Sequence, residues 1–410
     1  MGYLLQNGGL GMAGDWIITG GRPLQGRVEV PAAKNSALPL LAAALLCSGP
    51  VRLQNVPRLT DVEDCLALLR GVGCTAGWQG AALAVQGQPM RTDLAPEAAG
   101  RMRASILFCA PLLARLGRVS TVLPGGCRIG ARPIDLHLQG LAQMGVRQLP
   151  AAPGQLTLYA PAGLRGAEIC LAFPSVGATE TLLLAAATAQ GQTVLHGAAR
   201  EPEIADLAAF LNACGGCVEG AGTDTIRVQG RRCLAGCTFA PMADRIIAST
   251  LACAVAAAGG RVELAGCAPG LYAPLLEILE QMGCTVERAN GAAAISRFGA
   301  LRGAGNVHTA PYPGLATERT LYVQPAGALR GAKLTAPDLR GGAALVVAAL
   351  AARGSSRLDG VELVRRGYAE LDRLLAGLGA QIWQEIPARR GLAKKTPMKK
   401  QFCLAIGAKK

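Results

Sequence analysis

Apolar positions along this chain fall into a unit that recurs. Each copy is an Ala/Leu-rich run with helical spacing, then a glycine, then a short β-branched strand. Copies begin at Lys34 (KNSALPLLAAALLCSGPVRLQNV), Arg103 (RASILFCAPLLARLGRVSTVL), Ser175 (SVGATETLLLAAATAQGQTVLHGA), Arg245 (RIIASTLACAVAAAGGRVELAG) and Arg340 (RGGAALVVAALAARGSSRLDGV). A second amphipathic helix follows each copy and closes on Gly73, Gly145, Gly216, Gly283 or Gly379, where a left-handed helix terminus favours glycine. Thr60 and Glu63 have the spacing of a capping box for the first of these second helices.

The starts are 69, 72 and 70 residues apart, and then 95. Two full repeats would need about 140, so a fifth copy is about 45 residues short, its remnant lying between Thr309 and Gln324. The pattern predicts six βαβ-type units, one truncated, in two similar α/β domains. Sheets lie outside and the Ala-rich helices pack inward, since close helix approach needs small side chains. The expected boundaries are an extension over 1–16 and a discontinuous, partly truncated domain I over 17–33 and 243–384. Domain II covers 34–242, and a basic, disordered tail covers 385–410. Loss of part of a unit should expose core surface in domain I. At ~25 cal/mol per Å2, a few hundred Å2 costs several kcal/mol, comparable to the stability of a domain.

Composition narrows the class. Half of the 410 residues (51%) are hydrophobic and only 4% aromatic, so the core is built from Ala, Leu and Val. A charged fraction of 17% excludes a wholly disordered chain. The apolar run Ile246 to Ala258 is shorter than the ~18–20 residues that span a bilayer. The first sixteen residues carry no Lys or Arg and no long apolar run, which argues against a signal peptide and for a cytoplasmic protein. Net charge is +14, of which eight charges (Arg389, Arg390, Lys394, Lys395, Lys399, Lys400, Lys409 and Lys410) belong to the tail. The remaining +6 suits an enzyme that binds anions, and only the total charge speaks for a nucleic-acid partner. Fourteen cysteines without a secretory signal are expected to be reduced. Cys214, Cys217, Cys233 and Cys237 have roughly a zinc-ribbon spacing. The run Leu207 to Cys214 recurs elsewhere without cysteine, however, so these read as small buried residues rather than metal ligands.

Several helix starts carry basic or small polar residues: Lys34-Asn35, Arg103, Ser175, Arg245 and Arg340-Gly341. A helix N-terminus already attracts anions through its free N–H groups and dipole, so as a group they predict an anion-binding cleft, while any one of them alone reads as a surface or capping residue. The loop Leu123 to Asp135 stands apart. Gly125 and Gly126 precede Cys127, and Arg128 and Arg132 would lower its thiol pKa. Cys127 reads either as an acid or nucleophile or as an inert loop cysteine.

At these residues the chain resembles the UDP-N-acetylglucosamine 1-carboxyvinyltransferase family of enolpyruvyl transferases. The matching stretches are Gly21 to Gly26, Lys34 to Pro39, Met102 to Ser105 and the Pro124 to Asp135 loop. Further matches are Pro174 to Thr179, Glu201 to Ile204, Asp244 to Ile246, Thr309 to Pro311, Asp338 to Arg340 and Arg366 to Tyr368, in family order across roughly 17 to 384. The Lys-Asn and Pro-Gly-Gly-Cys motifs are the specific ones. The resemblance implies two domains of three repeats each in an inside-out α/β barrel. It also implies transfer of enolpyruvyl from phosphoenolpyruvate to the 3′-hydroxyl of UDP-N-acetylglucosamine, with release of phosphate and no metal or cofactor.

By the same resemblance Lys34 and Asn35 hold phosphoenolpyruvate, with Arg340 and Arg366 joining from the other domain. Arg103, Arg132, Pro133, Ile134, Asp135 and Leu136 bind the nucleotide sugar, and Phe173, Pro174, Ser175 and Val176 add backbone contacts. Cys127 matches the cysteine that protonates the enolpyruvyl carbon and that fosfomycin alkylates. The family aspartate thought to accept the sugar proton falls in the shortened repeat. Glu318 is its candidate replacement, and if Glu318 belongs to the far side of the deletion no base remains. The downstream Asn-Arg-Phe region has no counterpart, and Ile247 stands where the family carries a glutamate. These departures raise a second reading, a relative that binds nucleotide sugar without turnover.

Overall fold

The computed structural model describes residues 14–125, 133–303, 307–309, 319–321 and 328–385, with strand backbone alone at 307–309 and 319–321. The small-residue runs form the inner helices α1 (Lys34–Ala43), α2 (Cys109–Leu116), α3 (Val176–Ala186), α4 (Arg245–Ala258) and α5 (Leu339–Ala351). Arg103 does not open an α-helix as expected; it begins the 3-10 segment Arg103–Phe108 that leads into α2. Side-chain caps start three of the five. Ser175 Oγ accepts from the Ala178 amide, Asp244 from Ile246 and Ile247, and Asp338 from Arg340 and Gly341.

Strand pairing shows how the units are built. In the third, Gln192–His196 pairs in parallel with Glu168–Cys170 and antiparallel with Thr225–Gln229, which also holds Val218–Glu219. In the first and fourth units the parallel strand comes from far along the chain. Thr238–Phe239 pairs with Val51–Leu53, and Leu24–Glu29 pairs with Gly260–Ala265. The chain therefore passes twice between the halves, and the two passages lie side by side. Ala32 bridges Ala243, the Ala33 amide donates to Met242 O at 2.7 Å, and the Asp244 amide donates to Pro31 O at 2.8 Å. The last sheet is completed by Asp15–Thr19, inserted between Ser355–Asp359 and Gln381–Glu385. That half thus includes residues before Ile17, since Asp15 and Trp16 belong to the strand and Trp16 is fully buried.

Two hydrophobic clusters result, one drawn from residues 37–234 and one from 16–30 with 247–382. In the first, α1 buries eight of its ten residues and α3 nine of its eleven, so neither has a free face. Approach is close enough that a Cβ at Gly140, on the helix Asp135–Gln143, would lie 2.6 Å from Leu182. In the second, α4 and α5 pack on each other but stay partly open. Ser249, Thr250, Cys253, Leu345, Val347 and Ala348 are half-buried and Ala344 is exposed. The stretch expected to hold the remnant of the fifth repeat contributes an antiparallel pair, Val307–Thr309 with Arg319–Leu321, in a two-stranded sheet of its own. Among the described residues this half shows two such inner helices, α4 and α5, and the other half three.

Local expectations need two corrections. Thr60 and Glu63 form no capping box: Leu59 is the N-cap, and Glu63 Oε1 accepts instead from Trp78 Nε1 at 2.8 Å. The left-handed glycine after the helix Pro202–Ala213 is Gly215, at φ 88°, not Gly216. Gly216 is constrained differently, since a Cβ there would meet Leu211 O at 2.7 Å. Cys214 Sγ lies 3.2 Å from Cys237 Sγ, whereas Cys217 is half-buried and Cys233 exposed. Among the described residues no group of three or more His, Cys, Asp or Glu is arranged to hold a metal ion, and no helix is long and apolar enough to cross a membrane.

Overpacking tests the difference between the halves. Ala185→Leu, on the enclosed α3, should lower the urea-unfolding free energy by about 1–3 kcal/mol. Ala344→Leu, on the open face of α5, should change it by less than about 0.5 kcal/mol. Equal losses would contradict the description of the α4–α5 face as open.

Candidate active site

The paired passages set α1 and α4 to begin beside each other, and the charged residues at those starts are tied together. Lys34, first residue of α1, donates from its backbone N to Asp244 Oδ2 at 3.4 Å. Its Nζ donates to Asp61 Oδ2 at 2.7 Å and to Arg366 O at 3.1 Å. Arg366 follows the helix Val361–Arg365 in the other half, and its guanidinium reaches Asp61 Oδ1 at 3.3 Å and Arg101 O at 3.0 Å. The two cations expected from opposite halves therefore meet at one carboxylate. The Asp61, Lys34 and Arg366 side chains are 7%, 14% and 25% exposed.

A second group lies around the N-termini of α3 and the helix Asp135–Gln143. Arg103 Nη2 donates to Pro133 O at 3.1 Å, joining the Arg103 and Pro133–Leu136 stretches. Ile134 is half-buried, Asp135 is exposed and Leu136 is buried beneath them. His137 fastens this helix to α3 through a 2.8 Å hydrogen bond between Nδ1 and Thr181 Oγ1. Burial, and next the Arg103 charge, push the His137 pKa down to about 4, so the ring is neutral at pH 7 and works as a strut. Phe173 is exposed and Pro174, Ser175 and Val176 half-buried at the start of α3, so the two predicted sugar-binding stretches begin packed helices.

Arg340 is exposed on the first turn of α5, and its charge acts on Tyr368, whose hydroxyl lies 3.2 Å from Thr250 Oγ1. Asn35 is exposed beside Lys34. Cys127, Arg128, Arg132 and Glu318 lie outside the described residues.

Acidic partners of these cations were not visible in the sequence. Asp61 sits in the first turn of the helix Thr60–Gly71, in a stretch whose evident pattern was one of capping. Nothing in its spacing from Lys34 or Arg366 announces a contact. Asp64 accepts from Arg101 Nε at 3.0 Å. Arg245, one of the basic helix starts, is held by buried Glu203 at 3.0 and 3.2 Å. Next to that pair, Glu180 on α3 is pushed up to about 8, by burial first and then by Glu203 and Glu201.

The family model described as EPSP synthase (3-phosphoshikimate 1-carboxyvinyltransferase) matches residues 18–321. The chain belongs to the enolpyruvyl transferase family. The UDP-N-acetylglucosamine 1-carboxyvinyltransferase of Nitratidesulfovibrio vulgaris (strain Hildenborough) is 39% identical, over 90% of this chain and 99% of that protein. The enzyme of the same name from Maricaulis maris is 40% identical, over 89% and 97%. In the first of these, 90% of this chain, about 369 residues, is spread over 414 aligned positions. About 45 positions are thus filled only in the relative, the size of the shortfall in the repeat spacing. Among solved structures, the enolpyruvyl transferase NikO from Streptomyces tendae superposes with a TM-score of 0.76 at 22% identity, over 91% of this chain and 99% of its own. EPSP synthase from Acinetobacter baumannii gives 0.68 at 18%, over 90% and 100%. These two establish the two-domain α/β fold of this enolpyruvyl transferase.

Glu180 carries a pH dependence of known sign. Its ordinary value is 4.5 and its value in the fold is about 8, so between those pH values the folded chain holds a proton that the unfolded chain has released. The associated stability is present below 4.5 and is lost as pH rises to about 8. Urea-unfolding free energy should therefore fall from about pH 5 to pH 8 in the wild type, and Glu180→Gln should flatten the slope and gain roughly 1–3 kcal/mol at pH 8. Parallel profiles for the two proteins would contradict this assignment.

Proposed function

We propose that this enolpyruvyl transferase moves the enolpyruvyl group of phosphoenolpyruvate onto the 3′-hydroxyl of UDP-N-acetylglucosamine and releases phosphate, the first committed step of peptidoglycan synthesis, in the cytoplasm. The observation that carries the reading is the match to enzymes of that activity across 99% of their length at 39% identity. The cation set supports it. The substrates bring a phosphate, a carboxylate and a diphosphate; Lys34, Arg103 and Arg340 lie in the first turns of their helices, and Arg366, which directly follows the helix Val361–Arg365, meets Lys34 at Asp61.

The chemistry follows from what the product must retain. The sugar oxygen forms a bond to C2 of phosphoenolpyruvate while C3 takes up a proton and the hydroxyl proton leaves to a base. The C2–O bond to phosphate then breaks, and C3 gives up a proton to restore the double bond. Negative charge gathers on the departing phosphate, where Lys34, Arg340 and Arg366 stabilise it. Cys127 is the acid at C3, flanked in sequence by Arg128 and Arg132. Glu318 is the base for the 3′-hydroxyl. Asn35 assists Lys34 on phosphoenolpyruvate. Arg103, Arg132 and Pro133–Leu136, with Phe173–Val176, hold the nucleotide sugar so that its hydroxyl faces C2.

The test is phosphate release with both substrates, with either alone, and with the Cys127→Ala and Glu318→Gln variants. Release should need both substrates and fall at least about 100-fold in each variant, while nucleotide-sugar binding changes little. Binding of the nucleotide sugar without any release by the wild type would overturn the proposal in favour of a binding-only relative.

A further inference from the structure

We infer that Asp61 is a positioning residue which balances the two phosphoenolpyruvate cations and limits how tightly they hold a free anion; the inference rests on the proposed reaction. Lys34 and Arg366 come from opposite halves and both direct N–H groups at one nearly buried carboxylate, at 2.7 and 3.3 Å. Two like charges held this close repel, and a shared carboxylate offsets the repulsion with little screening by solvent. The same contacts make Asp61 a competitor of any incoming anion, because each N–H given to its oxygens is withheld from a phosphate or carboxylate.

The surroundings single out this residue. Asp64, one turn along the same helix, is taken up by Arg101. Asp244 accepts from the Lys34 backbone and from its own helix start, not from the Lys34 ammonium. Among the described residues, Asp61 is the carboxylate that touches both cations. Arg366 also donates to Arg101 O, and Lys34 to Arg366 O, so each side chain keeps a backbone anchor. Loss of Asp61 should therefore leave the cations in place but unbalanced. A purely structural role is the alternative, since an acid in a first helical turn also complements the helix dipole. That role predicts a stability loss with no change in anion affinity.

Inorganic phosphate, titrated calorimetrically into the full-length protein, separates the two. Asp61→Asn should bind phosphate at least about 5-fold more tightly than the wild type. Its kcat should fall about 10-fold or more while KM for phosphoenolpyruvate falls, because binding is gained as alignment is lost. Asp61→Glu, which keeps the charge, and Asp64→Asn, which alters a neighbouring pair, should stay within about 2-fold of wild-type phosphate affinity. If Asp61→Asn does not fold, Asp61→Ser is the neutral variant to use, since serine suits a helix start. Unchanged phosphate affinity, or tighter phosphate with unaltered kcat, overturns the inference. Absence of wild-type turnover would instead overturn the proposed reaction, and the phosphate titrations would still decide the role of Asp61.

Discussion

Everything in this fold depends on two short stretches that cross between the halves and pair with each other. Residues 31–33 and 242–244 exchange backbone hydrogen bonds, and an inner helix starts immediately after each. That brings the N-termini of α1 and α4, with Lys34 and Asp244, to the same place. Helix starts carry unpaired N–H groups and a positive dipole end, so the junction is electropositive before any side chain is counted. The borrowed strands Leu24–Glu29 and Thr238–Phe239 make the arrangement hard to undo, because each is hydrogen-bonded into the sheet of one half and continues into a helix of the other.

Small side chains supply the second constraint. Inner helices can be enclosed by their own sheets only if their surfaces are smooth enough to approach closely, which is why Ala and Gly replace aromatic residues. The same dependence distinguishes the two halves. Among the described residues α4 and α5 are less enclosed than α1 and α3, and Ala344 on α5 is exposed. The junction itself is built from the starts of α1 and α4 and from the Arg366 turn, none of which belongs to the shortened unit. The described part of the cation cluster therefore stands without that unit.

Repeat spacing made most of this legible in the sequence. Helix starts at Lys34, Arg245 and next to Ser175 and Arg340 follow from composition and periodicity. Contacts that depend on the crossing were not legible. Asp61 is 27 residues from Lys34 and 305 from Arg366, and only the return of the chain to the junction brings them together. The partner of Arg245 could not be read from the sequence because Glu203 lies on another helix, 42 residues away. Local signals failed where tertiary contacts competed: Glu63 serves Trp78 rather than its own helix start, and Arg103 opens a tighter helix that positions it against Pro133.

The central claim is that this chain, about 45 aligned positions shorter than its 39% identical relative, performs the whole transfer. Mass spectrometry of the nucleotide sugar after incubation with phosphoenolpyruvate and the protein tests it most directly. The account predicts a UDP-N-acetylglucosamine heavier by one enolpyruvyl unit, formed in step with free phosphate. An unmodified nucleotide sugar recovered from a folded protein that binds it would contradict the account.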